Sequence, residues 1–240
     1  MLLAIDTSTT VVTLAIGRGA RPLATRSIST DRRHAEVLAP AIHDVATEAG
    51  IELRELSAIV AGLGPGLFTG LRVGVTTAKA IAQALGVATV GIPTLDVVAA
   101  SAAAPGVGDR VVGVLDARRG EVFWARYEGG AREGDDRVGP PEELRAELVA
   151  PLTIAGDGAA RYSRDLAGPG VTLSDVTAPD PVRLLELGAA AWARGDACDA
   201  GALVPRYVRR TDAEIAWDPS RFGTSRTPTG FDVAPVTEDS

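Results

Sequence analysis

Two aspartates that follow apolar runs are the residues best suited to hold a metal-bound phosphate. Asp6 ends the run "LLAID", and Asp116 ends the run "GVLD" 110 residues later. A carboxylate can hold Mg²⁺ through water, and glycines such as Gly156 and Gly158 let a backbone come close to a nucleotide. The same four residues fit ordinary turns equally well. They are therefore candidates for a vestigial nucleotide site, and the sequence assigns no cofactor to them.

A second candidate site is the glycine-rich stretch "GLGPGLFTGLRVG", residues 62–74. It lacks the Gly-Lys pair of a P-loop, and it fails the G-x-G-x-x-G fingerprint because Gly70 comes one residue late. A generic anion site at the start of the following helix stays open. The stronger prediction is that the stretch shapes a helix for docking and binds no phosphate. Its motif residues are Gly64, Pro65, Gly66, Phe68, Thr69 and Arg72.

Nucleophilic catalysis would need a hydroxyl group beside a histidine. Thr7, Ser8 and Thr69 are the possible nucleophiles of a peptidase. The chain has two histidines, His34 and His43, and neither stands in an evident relation to these hydroxyls. A separation of nine residues along a helix corresponds to a rotation of about 900°, or about two and a half turns, so the two rings point to opposite sides and form no local metal site. The sequence therefore makes a peptidase an unfavoured alternative.

A pair of arginines, Arg118 and Arg119 in "DARRGEV", has side chains that suit a phosphate group. Paired arginines on a hairpin are more often solvated or salt-bridged, here with Glu121 as a nearby acid. Both interpretations stay open, and the functional one would be a contact with a partner molecule.

The composition is that of a globular protein with little attraction for nucleic acid. Of 240 residues, 46% are hydrophobic and 4% are aromatic, so we expect an aliphatic core. The net charge of −7, with Lys79 as the only lysine, argues against holding nucleic acid by charge alone. Cys198 is the single cysteine, which excludes an intrachain disulfide and fits a reducing compartment. We find neither a signal peptide nor an apolar run of about 18 residues, and we expect a cytoplasmic protein.

The elements that would position these residues alternate between strands and helices. "LLAID", "VVTLAIG" and "PLATRSI" predict three strands, followed by a helix over 34–49 in which Pro40 favours a kink or a later start. The buried strand "LSAIVAGLG" precedes a helix capped by Thr69 and stopped by Gly86, and the strand "VATVGI" precedes a further helix. Residues 129–141 predict a surface loop, "LTIAGDGA" a strand with a glycine turn, and "PVRLLELGAAAWARG" a helix. This order indicates mixed sheets with flanking helices.

The two halves of the chain share a weak internal repeat. The segments "LAIDTSTTVVTLAI", from Leu3, and "GVLDARRGEVFWAR", from Gly113, each contain an apolar run that ends in aspartate, a polar turn and a second run. Such a match favours a duplicated fold of two lobes. Two unrelated hairpins are the open alternative.

The helix over 69–85 has the pattern of a helix that is covered on most sides. Its polar residues keep to one narrow stripe, and a row of small residues at i, i+4 spacing permits the close approach of another helix. The helix over 34–49 is one possible neighbour and a second subunit is the other. We favour both, with the two helices forming one layer that docks onto a partner. The predicted contact residues are His34, Leu38, Ile42, Val45, Gly70, Leu71, Gly74, Val75, Ala78 and Ala82.

Four segments together resemble the TsaB (YeaZ) family: "LLAIDTST", "GPGLFTGLRVG", "DARRGEVFWA" and "PRYVRR". The resemblance covers residues 1–210. It implies an actin-like, sugar-kinase-like (ribonuclease H-like) α/β fold of two related lobes, with mixed sheets and flanking helices. The lobes would be residues 1–106, which carry the partner-binding helices, and residues 107–210, followed by a flexible tail over 211–240.

The resemblance also implies a function. Members of this family are non-catalytic subunits of the bacterial machinery that makes threonylcarbamoyladenosine in tRNA. They pair with TsaD, the catalytic homologue, help to bring in the ATPase TsaE, and meet tRNA only through the complex. The two helices over 34–49 and 69–85 would form the contact with TsaD, and a homodimer is plausible when the chain is alone. An ATP-dependent, kinase-like enzyme of the same fold stays the alternative.

One departure from TsaD concerns metal. TsaD carries two histidines four residues apart that hold a metal ion, and this chain has Thr94 and Val98 at the matching positions. Val98 has no donor atom, and a lone threonine hydroxyl is a poor ligand. We therefore expect no metal site and no catalytic residues in this chain.

Overall fold

The computed structural model describes residues 1–30, 33–103 and 110–208. The strands in these ranges are β1 (Leu2–Asp6), β2 (Val11–Arg18), β3 (Arg21–Ser29), β4 (Ala58–Gly62), β5 (Ala88–Ile92), β6 (Arg110–Arg118), β7 (Glu121–Glu128), β8 (Ala131–Gly139), β9 (Leu152–Ala155) and β10 (Val171–Leu173). The α-helices are α1 (His34–Ala49), α2 (Phe68–Leu85), α3 (Thr94–Ala102), α4 (Pro141–Glu147), α5 (Asp157–Arg161), α6 (Ser163–Leu166) and α7 (Pro181–Arg194). None of these helices is both long and apolar enough to cross a membrane. The tail predicted over 211–240 lies outside the described residues.

The strands form two five-stranded sheets with the same internal order. In the first sheet, β3-β2-β1-β4-β5, the pairs β1–β2 and β2–β3 are antiparallel, and β4 and β5 run parallel to β1. In the second sheet, β8-β7-β6-β9-β10, the pairs β6–β7 and β7–β8 are antiparallel, and β9 and β10 run parallel to β6. The repeat seen from Leu3 and from Gly113 therefore corresponds to two equivalent hairpins. The predicted α/β class with mixed sheets is confirmed.

The first sheet is covered by helices on both faces, because β1 alternates its side chains between the two. Leu3 and Ile5 join the core that includes α1 and α2. Leu2 and Ala4 join the core that includes α7. Helix α7, which comes late in the chain, lies against β1, β2 and β3 and completes the cover of this sheet.

The second sheet is also covered on both faces. Leu95 and Val98 of α3 pack with Phe123 of β7, whereas Trp124 of the same strand packs with Leu144 of α4. Helix α3 also contacts α7, so a helix that packs on the second sheet touches a helix that packs on the first. The predicted boundary between residues 106 and 107 lies outside the described residues, and the division into two lobes stays a prediction.

The structure corrects some local expectations. Helix α2 begins at Phe68, so Thr69 lies in its first turn and does not cap it, while Gly86 ends the helix with φ 67° as predicted. Helix α1 includes Pro40 and is not interrupted there. Most of the loop expected over 129–141 is strand β8. This strand lies at the edge of its sheet, where charged side chains hinder pairing with other chains. Two of its charged residues, Arg132 and Asp136, form an ion pair with each other over 2.6 Å.

Candidate functional site

The glycine-rich loop between β4 and α2 lies directly against the turn between β1 and β2. Leu67 N donates to Ser8 O over 2.6 Å, and a Cβ on Gly66 would lie 2.2 Å from that same oxygen. A Cβ on Gly62 would lie 1.9 Å from Asp6 Oδ2. The glycines thus permit two backbone segments to approach closely. That the loop binds no phosphate stays a prediction.

Asp6 lies next to this loop, and its own chain supplies hydrogen bonds to both carboxylate oxygens. Oδ1 accepts from Ser8 N over 2.8 Å and from Ser8 Oγ over 2.5 Å, and Oδ2 accepts from Thr94 Oγ1 over 2.7 Å. Thr94 Oγ1 in turn accepts from Gly64 N over 3.1 Å. Asp6 is 1% exposed. Burial raises the pKa of its carboxyl group, and the hydrogen bonds from Ser8 and Thr94 oppose that rise.

The two residues at the positions where TsaD carries its metal-binding histidines are not suited to bind a metal ion. Thr94 is fully buried and directs its hydroxyl proton to Asp6. Val98 is fully buried as well and packs in the apolar core with Leu95. Of the residues at this place, only Asp6 offers a charged oxygen to a metal ion. The ion would have to displace the hydrogen bonds that Asp6 accepts from Ser8 and Thr94. Among the described residues, no three His, Cys, Asp or Glu side chains group as metal ligands.

The small residues along α2 face the chain itself. A Cβ on Gly70 would lie 2.3 Å from Thr7 O, and one on Gly74 would lie 2.2 Å from Thr7 Oγ1. The residues predicted to contact a partner are all buried within this single chain: His34, Leu38, Ile42, Val45, Gly70, Leu71, Gly74, Val75, Ala78 and Ala82. Their side chains hold α1 and α2 to the rest of the chain, because the apolar faces of both helices point to the first sheet and its turn. That these residues form the partner contact stays a prediction, and the exposed sides of α1 and α2 offer further side chains to a partner.

The segment of residues 198–208, called the C-terminal segment below, lies along one flank of α2. Lys79 Nζ donates to two carbonyl oxygens of this segment, each over 3.2 Å. Arg72 Nε donates to Tyr207 Oη over 3.1 Å, and Cys198 forms an antiparallel bridge to β5. Sequence reasoning missed this contact. Its one available signal was the tyrosine of "PRYVRR", in a chain that has three tyrosines.

The outward sides of α1 and α2 carry many small, uncharged residues. Exposed and half-buried positions of α2 that lie away from the C-terminal segment are Thr69, Val73, Thr76, Thr77, Ala80 and Ala84. Exposed uncharged positions of α1 are Ala35, Ala39, Pro40, His43 and Thr47, and its exposed acids are Glu36, Asp44 and Glu48. Exposed helix faces usually carry charged residues. A face of α2 without charge over this length is typical of the centre of an interface.

In the part of the chain that the structure describes, His34 lies close to the turn that carries Thr7 and Ser8, but it forms no hydrogen bond with either hydroxyl group. Ser8 Oγ bonds Asp6, and Thr7 Oγ1 donates to a backbone carbonyl of α2. His34 is buried, and its Nε2 is 2.8 Å from a backbone carbonyl oxygen. His43 lies exposed on α1. The geometry therefore gives no support to a peptidase.

The second candidate aspartate, Asp116, lies two residues before the end of β6, and an arginine holds its carboxylate. Asp116 Oδ1 accepts from Arg118 N over 2.9 Å, and Oδ2 accepts from Arg118 Nη1 over 3.1 Å. Asp116 N donates to Asp157 Oδ1 over 2.9 Å. Burial raises the pKa of Asp157 to about 6, and the charge of Asp116 adds to the rise. Sequence reasoning named the glycines on either side of Asp157 and missed the aspartate between them.

The remaining candidates of the second sheet serve close packing and a tight turn. A Cβ on Gly156 would lie 2.0 Å from Val114 O, and one on Gly158 would lie 2.7 Å from the carbonyl carbon of residue 115. Both glycines therefore permit the close approach of α5 to β6. Arg118 and Arg119 have φ values of 65° and 56°, in the left-handed region that non-glycine residues seldom adopt. The structure pairs Arg118 with Asp116.

Comparison with known proteins adds evidence from sequence and structure. The family model described as "TsaD: tRNA N6-adenosine threonylcarbamoyltransferase" matches residues 24–155, more than half of the chain. An uncharacterized protein of Mycobacterium bovis is 38% identical over 215 residues, which cover 89% of this chain and 93% of the relative. The Escherichia coli K12 protein named "tRNA threonylcarbamoyladenosine biosynthesis protein TsaB" is 29% identical over 226 residues, which cover 90% of this chain and 96% of that protein.

A solved structure agrees with these matches. YeaZ from Pseudomonas aeruginosa aligns with a TM-score of 0.76 and 32% sequence identity. The alignment covers 86% of this chain and 98% of the YeaZ chain, so it includes both sheets described above. The chain therefore belongs to the TsaB (YeaZ) family of TsaD homologues.

Proposed function

We propose that this chain is a non-catalytic subunit that dimerises with a TsaD homologue. In that complex it supports the transfer of threonylcarbamoyl to N6 of adenosine 37 in tRNAs that read codons starting with A. The name of the Escherichia coli relative, which refers to threonylcarbamoyladenosine biosynthesis, supports this reaction context. The family model named for TsaD supports a homologous partner. The ATPase TsaE is proposed as a further partner, and tRNA is proposed to be met only through the complex.

The observation that carries the non-catalytic role is the closed network around Asp6. An ATP-dependent enzyme that used this carboxylate would need it to reach a metal ion or its water ligands. Here Ser8 and Thr94 hold both of its oxygens inside the chain. Releasing the carboxylate would break hydrogen bonds to a buried charged group, each of which contributes about 1.5–3 kcal/mol. This weighs against the kinase-like alternative, and the absent Ser–His pairing weighs against a peptidase.

The partner is proposed to bind the outward sides of α1 and α2. These surfaces are exposed in the single chain, and the one on α2 has no charged side chain between the flank covered by the C-terminal segment and α1. Interfaces between folded subunits are depleted of charge at their centre. When the TsaD homologue is absent, the same surfaces are proposed to pair two copies of this chain, since an apolar face without its partner tends to find a copy of itself.

The test uses one substitution at two exposed alanines. Ala80→Glu puts a carboxylate on the proposed contact surface of α2, and Ala190→Glu makes the same change on the exposed side of α7. Binding of each variant to the TsaD homologue of the same genome is measured by isothermal titration calorimetry. We expect Ala80→Glu to weaken binding by about tenfold or more, because a charge would be buried unpaired. Ala190→Glu should bind like the unaltered chain.

Two outcomes would contradict the proposal. Equal affinity of the Ala80 and Ala190 variants would remove the outward side of α2 from the contact. Steady ATP hydrolysis by the isolated chain, abolished by Asp6→Ala, would favour the kinase-like enzyme instead. Circular dichroism of both alanine variants should match the unaltered chain, because both positions are exposed.

A further inference from the structure

Two aromatic rings and a guanidinium group form an exposed cluster where α2 begins. Arg72 Cζ lies 4.0 Å from the centroid of the Phe68 ring and 6.0 Å from that of the Tyr207 ring. The two ring centroids are 5.5 Å apart. Phe68 and Tyr207 are 44% and 45% exposed, so neither ring belongs to the core. Tyr207 comes from the C-terminal segment, which the hydrogen bond between Arg72 Nε and Tyr207 Oη ties to α2.

This geometry restricts the guanidinium of Arg72 and leaves its outer edge available. Its Nε is used by Tyr207, and one of its faces is covered by Phe68. Within the described ranges, no acidic side chain forms an ion pair with Arg72, whereas other exposed arginines do find such partners. Arg26 pairs with a glutamate over 2.7 Å, and Arg183 does the same. A planar cation held in place with free terminal nitrogens is suited to bind a carboxylate or phosphate group through two parallel hydrogen bonds.

We propose that Arg72 is a binding site for a carboxylate side chain of the partner subunit, and that the Phe68 ring against its guanidinium face helps to position it. The site lies on α2 at the end of the outward surface described above, so a partner on that surface would reach it. This inference rests on the proposed function and names a contact that the proposed function leaves open. Tyrosine and arginine are the residue types most often found among those that dominate binding energy at interfaces.

The surroundings favour a protein carboxylate over the phosphate of an RNA backbone. Binding to RNA relies on several cations that neutralise successive phosphates. On α2 the only other cation is Lys79, and its ammonium group is bonded to carbonyl oxygens of the C-terminal segment. In the described part of that segment the one cation is Arg206, which is paired with Asp136 over 3.2 Å. The chain as a whole carries a net charge of −7. A single oriented guanidinium beside an uncharged helix surface is instead typical of one charge-assisted contact at the rim of a protein interface.

The experiment measures binding to the TsaD homologue of the same genome for the unaltered chain and four variants. Arg72→Gln removes the charge, and Arg72→Lys keeps the charge but lacks the planar group with two terminal nitrogens. Tyr207→Phe removes only the hydrogen bond that ties the C-terminal segment to Arg72. Arg54→Gln is the matched control, since Arg54 is a highly exposed arginine outside α1 and α2. Calorimetry at low and at physiological salt gives the dissociation constants, and circular dichroism checks each fold.

The expected result distinguishes the contribution of the Arg72 guanidinium to partner binding from that of the Tyr207 hydroxyl group. Arg72→Gln and Arg72→Lys should each weaken binding about 10–100-fold, with a smaller loss at higher salt. Tyr207→Phe should change it less than about threefold, and Arg54→Gln should leave it unchanged. If Arg72→Gln alters the circular dichroism, Arg72→Lys carries the test, because lysine keeps both the aliphatic stem and the charge.

Other outcomes overturn the inference in distinguishable ways. If the unaltered chain does not bind the TsaD homologue, the proposed function fails and the inference fails with it. If the unaltered chain binds and both Arg72 variants bind equally well, only the carboxylate site is wrong. A loss in Tyr207→Phe as large as that in Arg72→Gln would assign the effect to the C-terminal segment. Filter binding of each protein to tRNA completes the set: a loss of tRNA binding in Arg72→Gln, with partner binding intact, would show that the site takes a phosphate.

Discussion

Thr94→Val is the substitution that most directly perturbs the buried network around Asp6. Valine has nearly the shape of threonine, so the change removes the hydroxyl group while it keeps the volume of a fully buried side chain. The donor to Asp6 Oδ2 and the acceptor for Gly64 N are both lost. Thr94→Ser is the matched control, because serine keeps the hydroxyl group and loses a methyl group.

The magnitude follows from the two hydrogen bonds. A hydrogen bond to a charged acceptor contributes about 1.5–3 kcal/mol and a neutral one about 1 kcal/mol. Thr94→Val should therefore lower the free energy of unfolding by about 2.5–4 kcal/mol at pH 7. Thr94→Ser should cost about 1 kcal/mol, as expected for the loss of a buried methyl group. In a chain of this length, 1 kcal/mol corresponds to about 2–4 °C in Tm, so Thr94→Val should melt about 10 °C lower than the unaltered chain.

The pH dependence gives a second measure of the same network. Because burial raises the pKa of Asp6, the folded state binds the proton more tightly than the unfolded state. This contribution to stability is present below the ordinary pKa of 3.8 and is lost as the pH rises through the folded pKa. Thr94 lowers the folded pKa, so its hydroxyl limits the loss. The stability difference between Thr94→Val and the unaltered chain should therefore widen as the pH rises through the folded pKa of Asp6, which urea unfolding over a series of pH values measures.

Two results would refute this reasoning. If Thr94→Val is as stable as Thr94→Ser, the hydroxyl group does not contribute what its bonds imply. If the stability difference does not change anywhere in the pH series over which the protein stays folded, the hydroxyl acts on something other than the carboxylate of Asp6.

Two further predictions concern stability. Asp157→Asn should raise the free energy of unfolding by about 1–3 kcal/mol at pH 7.5 and leave it almost unchanged near pH 4. The reason is that burial raises the pKa of Asp157 to about 6, so the stabilising contribution of the protonated carboxyl group is lost as the pH rises through that value. Thermal melts at both pH values measure this difference. Gly74→Ala should cost about 1–3 kcal/mol by overpacking, since a Cβ there would lie 2.2 Å from Thr7 Oγ1. Most of that cost should disappear in a Thr7→Ala background, which denaturant unfolding of the four proteins measures.

One result would contradict each of these two predictions. A gain for Asp157→Asn that is equal at pH 4 and pH 7.5 would mean that the proton on Asp157 is not its source. A cost for Gly74→Ala that is the same with and without the Thr7 side chain would locate the strain elsewhere.

Patterns within single elements could be predicted from the sequence. The extent of α1, the stop of α2 at Gly86 and the helix over 181–194 follow from local apolar periodicity and from glycine in the left-handed region. The repeated run that ends in Asp6 and in Asp116 indicated two equivalent hairpins, because each hairpin is formed by neighbouring residues. The position of Asp6 at the end of β1 was predictable for the same reason, whereas β6 continues two residues beyond Asp116.

What the sequence could not specify is which residues cover a given face. The row of small residues along α2 has the same sequence pattern whether a partner helix or the turn at Thr7 packs against it. In the structure the turn at Thr7 packs there. The contact of Tyr207 with Arg72 joins residues 135 apart, so no local pattern reports it. Strand β8 was missed because its charged residues resemble those of a loop, and only its place at the sheet edge explains them.

The late position of α7 in the chain has a consequence for biosynthesis. The first sheet is made from residues near the N-terminus, yet one of its faces is covered by a helix that ends at Arg194. Thr13 Oγ1 of that sheet donates to Pro179 O, 166 residues farther on. Contacts of such sequence separation slow folding, because a long loop must close before they form. During translation the first sheet therefore stays without its second cover until almost all of the described chain has left the ribosome, and in that interval its apolar face is open to chaperones and to aggregation.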